Sequence, residues 1–392
     1  MASLDYEQDY GPRNKMLGFF SEGIYTWIAP SAIDESVKVR VYVWGAGGAN
    51  GHNATSAVGL SNGGGGGGLA ISEFDIAAGF SCTVTVGAPA RTYNTQGGGS
   101  SFAPTSGVGF TTVSASGGRS GYNATDPTGN STGESNNPQS GNYGQGGVGV
   151  DGNIVNRRGG MGGMGGATSS YYQGSGASAP GPDGTKDGRF GGDAFTTWAS
   201  SAGGASINYR GTSPPAKNYT TTSGSGTAGA GGALNDYNIT DGDNWGWPSG
   251  GAGLLGAGGC GGNGCGWQNA TLSGTNADDG HGHAIWAPNQ IFLGGGGGGA
   301  GGSHISSSAW FGCNAGNGGP GAGGGGATQY GGAYYANAGN GGVLGGGGSA
   351  DYYSVPGNGG SAGGGGAESA GSFPANGGNG GAGIVFIQWA EK

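Results

Sequence analysis

The chain has 392 residues, of which 107 are glycine and 15 are proline, and its formal net charge is −9. The 13 Lys and Arg residues form no basic patch that would neutralise phosphates, so we expect no nucleic-acid partner. No apolar run approaches the roughly 20 residues of a membrane span, so we expect no membrane insertion.

The predicted strands lie near the start and at the end of the chain. Residues 1–18 are polar and turn-rich, and we interpret them as an N-terminal docking arm. Alternating or β-branched runs then predict strands over 24–30, 37–48, 68–79 and 80–89, a weaker strand over 109–118, and a last strand over 383–392. Strict alternation over 37–48 is typical of a half-buried antiparallel strand. No segment has the 3.6-residue periodicity of an amphipathic helix.

The domain prediction follows from this order. Strands within 24–118 and 384–389 pair in one antiparallel β-sandwich shell, so residues 19–392 form a single glycine-rich β domain. Residues 119–382 are its glycine-rich insert, and we expect essentially no α-helix.

The insert has a three-residue glycine period, clearest in "RRGGMGGMGGATSS" over 157–170. Three residues per turn is the repeat of a polyproline II-type helix. Since each ordered glycine costs roughly 0.5–1 kcal/mol more than alanine, compensation must come from backbones that pack and hydrogen-bond directly. We therefore predict an interior of polyglycine or polyproline II-type helices with long loops. Flexible glycine loops are the alternative.

Aromatic and polar segments alternate with the glycine runs. Loops on a rigid scaffold often carry recognition, and Tyr and Trp give a stiff contact area. The alternative is that these rings fill the core or cover the ends of the lattice. The candidate receptor-binding residues are Tyr237, Trp245, Trp247, Trp310, Phe311, Tyr352 and Tyr353.

Few residues point to chemistry. No Ser-His-Asp or Cys-His arrangement or paired-carboxylate motif is present, so we expect no enzyme. His281 and His283 project the same way on an extended segment and, around a trimer axis, could bind a transition metal; two solvent-facing histidines are the alternative. We otherwise expect no cofactor.

Three further features carry open alternatives. The segment 240–246 offers oxygen ligands for calcium but is more typical of a turn. Cys82 is expected to be a small buried residue, and a disulfide between Cys260 and Cys265 is possible but not implied. Asn-x-Thr sequences occur six times, which suits either turns or a glycosylated exported protein: Asn53, Asn123, Asn130, Asn218, Asn238 and Asn269.

One order of motifs resembles a known family. "YTWIAP" is followed by "VYVWGAGG", by a glycine run into "LAISEFDI", by "TVTVG", and finally by "GGAGIVFIQW". This order is similar to the glycine-rich domains of phage tail-fibre and virion appendage proteins and of some bacterial surface proteins. The resemblance covers nearly all of the chain after residue 20, and because this sequence includes no long upstream shaft we expect a fibre tip, a short fibre or a decoration.

The resemblance implies attachment to a host surface, in a protein that is often a homotrimer. We expect aromatic loops to contact a glycan or an outer-membrane protein, and residues 1–18 to dock on another virion protein. The first residues lack the basic-then-apolar pattern of a secretion signal, which favours assembly in the host cytoplasm and a place on the virion. The alternative is a self-assembling subunit of an extracellular filament or surface coat. A polysaccharide depolymerase is the least favoured reading.

Overall fold

The computed structural model describes residues 13–51, 62–121, 144–163, 174–184, 187–188, 191, 203, 284–288, 290–293, 302–303, 314–328, 337–350, 355–367 and 377–392. In these residues the protein is mainly β and contains no helix. Their strands are β1 (Lys15–Phe19), β2 (Gly23–Ile28), β3 (Val39–Trp44), β4 (Leu69–Phe74), β5 (Ser81–Val86), β6 (Ser100–Pro104), β7 (Val113–Ala115), β8 (Gly149–Val150), β9 (Val155–Arg157), β10 (Ala284–Ala287), β11 (Gln290–Leu293), β12 (Gly302–Ser303), β13 (Ala327–Thr328) and β14 (Ile384–Trp389).

Two five-stranded antiparallel sheets pack in a sandwich-like arrangement. The first sheet has the order β1-β14-β3-β4-β9, and the second has the order β2-β5-β6-β7-β8. The last strand, β14, lies between β1 and β3, with Ile387 opposite both Leu17 and Val41. The predicted pairing between the first strands and the last strand of the chain is therefore confirmed. Among the described residues, however, an apolar core lies between the two sheets, where the prediction placed a glycine-rich interior.

The core between the sheets follows from the alternation of side chains along each strand. Val39, Val41 and Val43 of β3 are fully buried in it. Trp27 of β2 meets Trp389 of β14 at 5.8 Å between ring centroids, which joins the two sheets. Cys82 is also fully buried in this core, as the sequence predicted.

The other face of the first sheet is also covered. Tyr42 and Trp44 point away from the sandwich core, stack at 5.9 Å, and are 7% and 0% exposed. Leu344 and Ala362, from the glycine-rich part of the chain, pack in the same cluster. The prediction of a half-buried strand over 37–48 is therefore wrong, because glycine-rich segments cover the face that was expected to meet water.

The elements at the start of the chain also differ from the prediction. Residues 15–18 were assigned to the docking arm, but they belong to β1, which pairs along its whole length with β14. The strand β6 was missed, since its sequence SSFAP is short and mostly small or polar. Residues 1–12 lie outside the described part of the chain.

Candidate functional site

Glycine segments continue the strands of both sheets in one direction. Residues 45–51 follow β3, residues 62–68 lead into β4, and residues 377–383 lead into β14. Residues 116–121 and 158–163 likewise follow β7 and β9. The sheets therefore fix the positions at which this glycine region begins.

The run 63–68 has a hydrogen-bond period of three. Its N–H groups donate in turn to three different neighbouring segments, and each segment is met again three residues later. The bonds are Gly63 to Gly163, Gly64 to Gly365, Gly65 to Arg119, Gly66 to Gly160, Gly67 to Ala362 and Gly68 to Ser116, at 2.8–3.1 Å. This period gives three residues per turn.

The same run accepts hydrogen bonds from three further segments. The carbonyls of Gly64, Gly65 and Gly66 accept from the N–H groups of Ala177, Gly48 and Gly147 at 2.8–3.0 Å. Six backbone segments thus surround residues 63–68. An added Cβ on any of these glycines would overlap backbone atoms of a neighbouring segment, which accounts for the absence of side chains.

The last part of the glycine region repeats one hairpin. Residues 314–328, 337–350 and 355–367 each hold an Asn-Gly-Gly sequence, a tight turn and a run of glycines. In the turns, Ala322, Gly345 and Gly363 donate to the carbonyl three residues earlier. The third turn residue has positive φ, as in a type II turn: Gly321 at 82°, Leu344 at 66° and Ala362 at 62°.

These turns mark one end of the glycine region. Leu344 and Ala362 lie against Trp44 and its neighbours on the first sheet, and the indole N–H of Trp44 donates to the carbonyl of Pro180 at 2.9 Å. The turns therefore lie at the end nearest the sheet.

A row of asparagines joins successive hairpins on the surface. The side-chain oxygens of Asn317, Asn340 and Asn358 accept from the backbone N–H groups of Asn340, Asn358 and Asn379, each at 2.8 Å. A second bond joins the same two hairpins in the opposite direction, because the N–H of Gly341 donates to the backbone carbonyl of Asn358 at 2.8 Å. The row fixes the register between hairpins.

The opposite end of the glycine region is the candidate functional site, here named the distal end. It is defined by the described residues that flank six segments of the chain: 52–61, 122–143, 164–173, 329–336, 351–354 and 368–376. The flanking residues are Gly51, Asn62, Gly121, Gly144, Gly163, Gly174, Thr328, Asn337, Ala350, Val355, Ala367 and Gly377.

Direct contacts bring these flanking residues together. Gly51 donates to Asn62 at 2.9 Å, Ala350 to Ala367 at 3.0 Å, and Ala367 in turn to Gly174 at 3.0 Å. Asn337 also bridges Val355. Gly163 accepts from Gly63, Gly144 accepts from Gly162, and Ala327, next to Thr328, donates to Ser349, at 2.8–3.0 Å. The described residues that flank the six segments therefore lie at the end of the glycine region that is away from the sheets.

The predicted site residues all lie outside the described residues. Segment 351–354 contains Tyr352 and Tyr353, and its flanks are at the distal end. Trp310 and Phe311 precede Asn314, whose side-chain oxygen accepts from the N–H of Asn337 at 2.8 Å. The described residues also exclude Tyr237, Trp245, Trp247, His281 and His283, segment 240–246, the cysteines at 260, 265 and 313, and all six Asn-x-Thr asparagines.

Among the described residues, three charged side chains form an ionic cluster on the first sheet. Glu73 of β4 accepts from Arg13 at 2.5 Å and from Arg40 at 2.7 Å, and Arg13 is only 8% exposed. Burial lowers the pKa of Arg13, and burial raises the pKa of the neighbouring Tyr42. This cluster ties the start of the described chain to β3 and β4, so its role is structural.

Comparison with protein-family models and with curated proteins gave no match to this chain. Among the described residues, no group of His, Cys, Asp and Glu side chains could hold a metal ion. Over the same residues, the chain has no helix with the length and apolar character needed to cross a membrane.

Proposed function

We propose that the protein is a phage virion appendage protein, a tail fibre, fibre tip or decoration, that attaches to a host surface. In this proposal the glycine region is a lattice of polyglycine II-type helices, and the segments anchored at the distal end present aromatic side chains to a surface glycan or outer-membrane protein. The observation that carries it is the position of the residues that flank the six segments. These residues lie together at one end of a closely packed backbone.

The period of three in the hydrogen bonds of residues 63–68 supports the lattice. Such a lattice holds its ends rigidly, because each segment is bonded on several sides at once. Rigid anchors reduce the entropy lost when loops bind, which suits recognition by aromatic side chains.

The direct test replaces Tyr352 and Tyr353 of segment 351–354 by alanine together and measures the binding of the fluorescently labelled protein to host cells. If these rings are binding hot spots, we expect a loss of roughly 30-fold or more in affinity, which corresponds to about 2 kcal/mol or more. Val108→Ala is the matched control, since Val108 is an exposed apolar residue beyond the far end of β6. Equal binding by both variants would remove this segment from the site.

A second candidate is a subunit of an extracellular filament or surface coat, which the same rigid glycine region would suit. Negative-stain electron microscopy of the purified chain separates the two. Discrete particles of one size support an appendage tip, whereas long filaments support the structural subunit.

A further inference from the structure

The two sheets end in neighbouring edge strands. β1 is the outer strand of the first sheet and β2 is the outer strand of the second, with only residues 20–22 between them. In the described part of the chain, neither strand pairs with a further strand on its outer side. An unpaired edge presents a row of backbone donors and acceptors that can pair with another strand.

The edge strand β2 has no protection of the usual kind. Its sequence, GIYTWI, contains no charged residue and no proline, and its register with β5 has no bulge. Ile24 and Ile28 are 77% and 60% exposed, and Leu17 on the adjacent edge strand β1 is 41% exposed. Exposed edges of this kind normally carry a charge or a proline to prevent pairing.

The backbone of β2 shows which groups are free. The N–H of Ala29 donates to the carbonyl of Phe80 at 2.9 Å, and this bond continues the register that sets Ile28 opposite Ser81. Because hydrogen-bonded residues alternate along an antiparallel strand, the odd-numbered residues of β2 bond to β5. The N–H and C=O groups of Ile24, Thr26 and Ile28 therefore face the outer edge.

We propose that β2 pairs antiparallel with β2 of a second copy of this chain, around a twofold axis at Thr26. In this register Thr26 lies opposite the partner's Thr26, and Ile24 lies opposite the partner's Ile28. The outward-facing groups of these residues then form the hydrogen-bonded pairs. The two second sheets join into one continuous sheet of ten strands, five from each copy.

The occupant is a second copy because β2 is complementary to itself. The register sets both exposed isoleucines in cross-strand pairs, and it sets Tyr25 opposite the partner's Trp27; apolar pairs of this kind stabilise a sheet. Glu22 falls opposite the partner's Pro30, so no like charges meet, and the proline ends the pairing. A twofold contact of this kind closes after two copies, in contrast to the trimer that the family resemblance implies.

A cysteine at the axis tests the register. In Thr26→Cys the two new thiols face each other at a Cα separation of about 5.5 Å, within the range of a disulfide. In the control Ile24→Cys the two thiols are four residues out of register, about 13 Å apart along the strand, which is too far. After mild oxidation we expect a disulfide-linked dimer from Thr26→Cys, and only the background of the native cysteines from Ile24→Cys.

The mass in solution tests the surface itself. Multi-angle light scattering should give twice the mass of one chain for the wild type. The double variant Ile24→Lys with Ile28→Lys should raise the dissociation constant by roughly tenfold or more, because lysine is a natural guard of edge strands. Val108→Lys is the matched control, since Val108 is 75% exposed but lies outside β2.

Four results would each overturn the proposal. They are a monomeric or trimeric wild type, a double lysine variant that associates like the wild type, equal cross-linking of the two cysteine variants, and no cross-linking of either. Circular dichroism of each variant separates a loss of association from a loss of folding. We expect every variant to fold, since all three β2 side chains changed here are exposed.

Discussion

Gly66 offers the sharpest test of the backbone packing in the glycine region. Its N–H donates to the carbonyl of Gly160 at 3.0 Å, and its own carbonyl accepts from Gly147 at 2.8 Å. A methyl group on Gly66 would overlap the carbonyl of Ser178, which is itself held by a hydrogen bond from Gly160 at 2.9 Å. The obstacle to Gly66→Ala is therefore the backbone at Ser178, which is itself held in place by a hydrogen bond.

The expected cost follows from these contacts. Overpacking costs about 1–3 kcal/mol, and the two hydrogen bonds contribute about 1 kcal/mol each when the segments are pushed apart. Gly66→Ala should therefore lower the free energy of unfolding by about 3–5 kcal/mol. Whole domains are stable by only about 5–15 kcal/mol, so this loss is large. The extended conformation itself is open to alanine, which leaves the contact as the cause.

Gly99→Ala is the matched control. The nearest atom to an added Cβ at Gly99 is the carbonyl oxygen of Ala115 at 3.5 Å, an ordinary contact. This change should leave stability unaltered or raise it by about 0.4–1 kcal/mol, because alanine restricts the unfolded chain. Urea unfolding followed by tryptophan fluorescence, to which the buried Trp44 contributes, measures both variants. Equal unfolding midpoints would refute direct backbone packing around residues 63–68.

Three further changes test other parts of the structure. Glu73→Gln leaves two arginines without their shared carboxylate and should lower the free energy of unfolding by about 2–3 kcal/mol, measured by the same urea titration. The control is Asp75→Asn, which removes an exposed ion pair of 3.6 Å and should lower the free energy of unfolding by less than about 0.5 kcal/mol. Leu344→Ala empties a fully buried position against the first sheet and should cost about 2–4 kcal/mol, measured in the same way; no change would contradict the cluster that includes Trp44. Burial raises the pKa of the Cys82 thiol from 9.0 to about 12, so the folded chain keeps a proton that the unfolded chain loses between these pH values. Stability should therefore fall as the pH rises from 9 to 12, more steeply for the wild type than for Cys82→Ala, and parallel slopes of unfolding free energy against pH would contradict this.

The sandwich-like shell was largely predictable because its signal is local. Alternating apolar residues marked β2, β3, β5 and β14, and the structure has a strand in each place. β1 was missed because its sequence KMLGF is short and contains a glycine, and pairing with β14 stabilises it from the far end of the chain. Contacts over such a distance leave no local pattern.

The distal end could not be predicted from single residues. The three-residue glycine period of the sequence agrees with the hydrogen-bond period of residues 63–68, but it does not show which segments lie next to each other. The available signal was the repeat of Asn-Gly-Gly at Asn317, Asn340, Asn358 and Asn379, whose spacing marks successive hairpins with a common orientation. The burial of Tyr42 was also unpredictable, since alternation indicates two faces of a strand and says nothing about what covers each one.

Different interactions hold together the glycine region and the two sheets. The hydrogen bonds described for residues 63–68 join backbone atoms to backbone atoms, so this packing depends on glycine in the run and on the position of the neighbouring backbone. The apolar core lies between the sheets and under the turns at the opposite end. The two parts should therefore respond to different substitutions. Gly66→Ala forces apart backbones that are packed against each other, whereas Leu344→Ala removes an apolar contact with the first sheet and leaves those backbone hydrogen bonds in place.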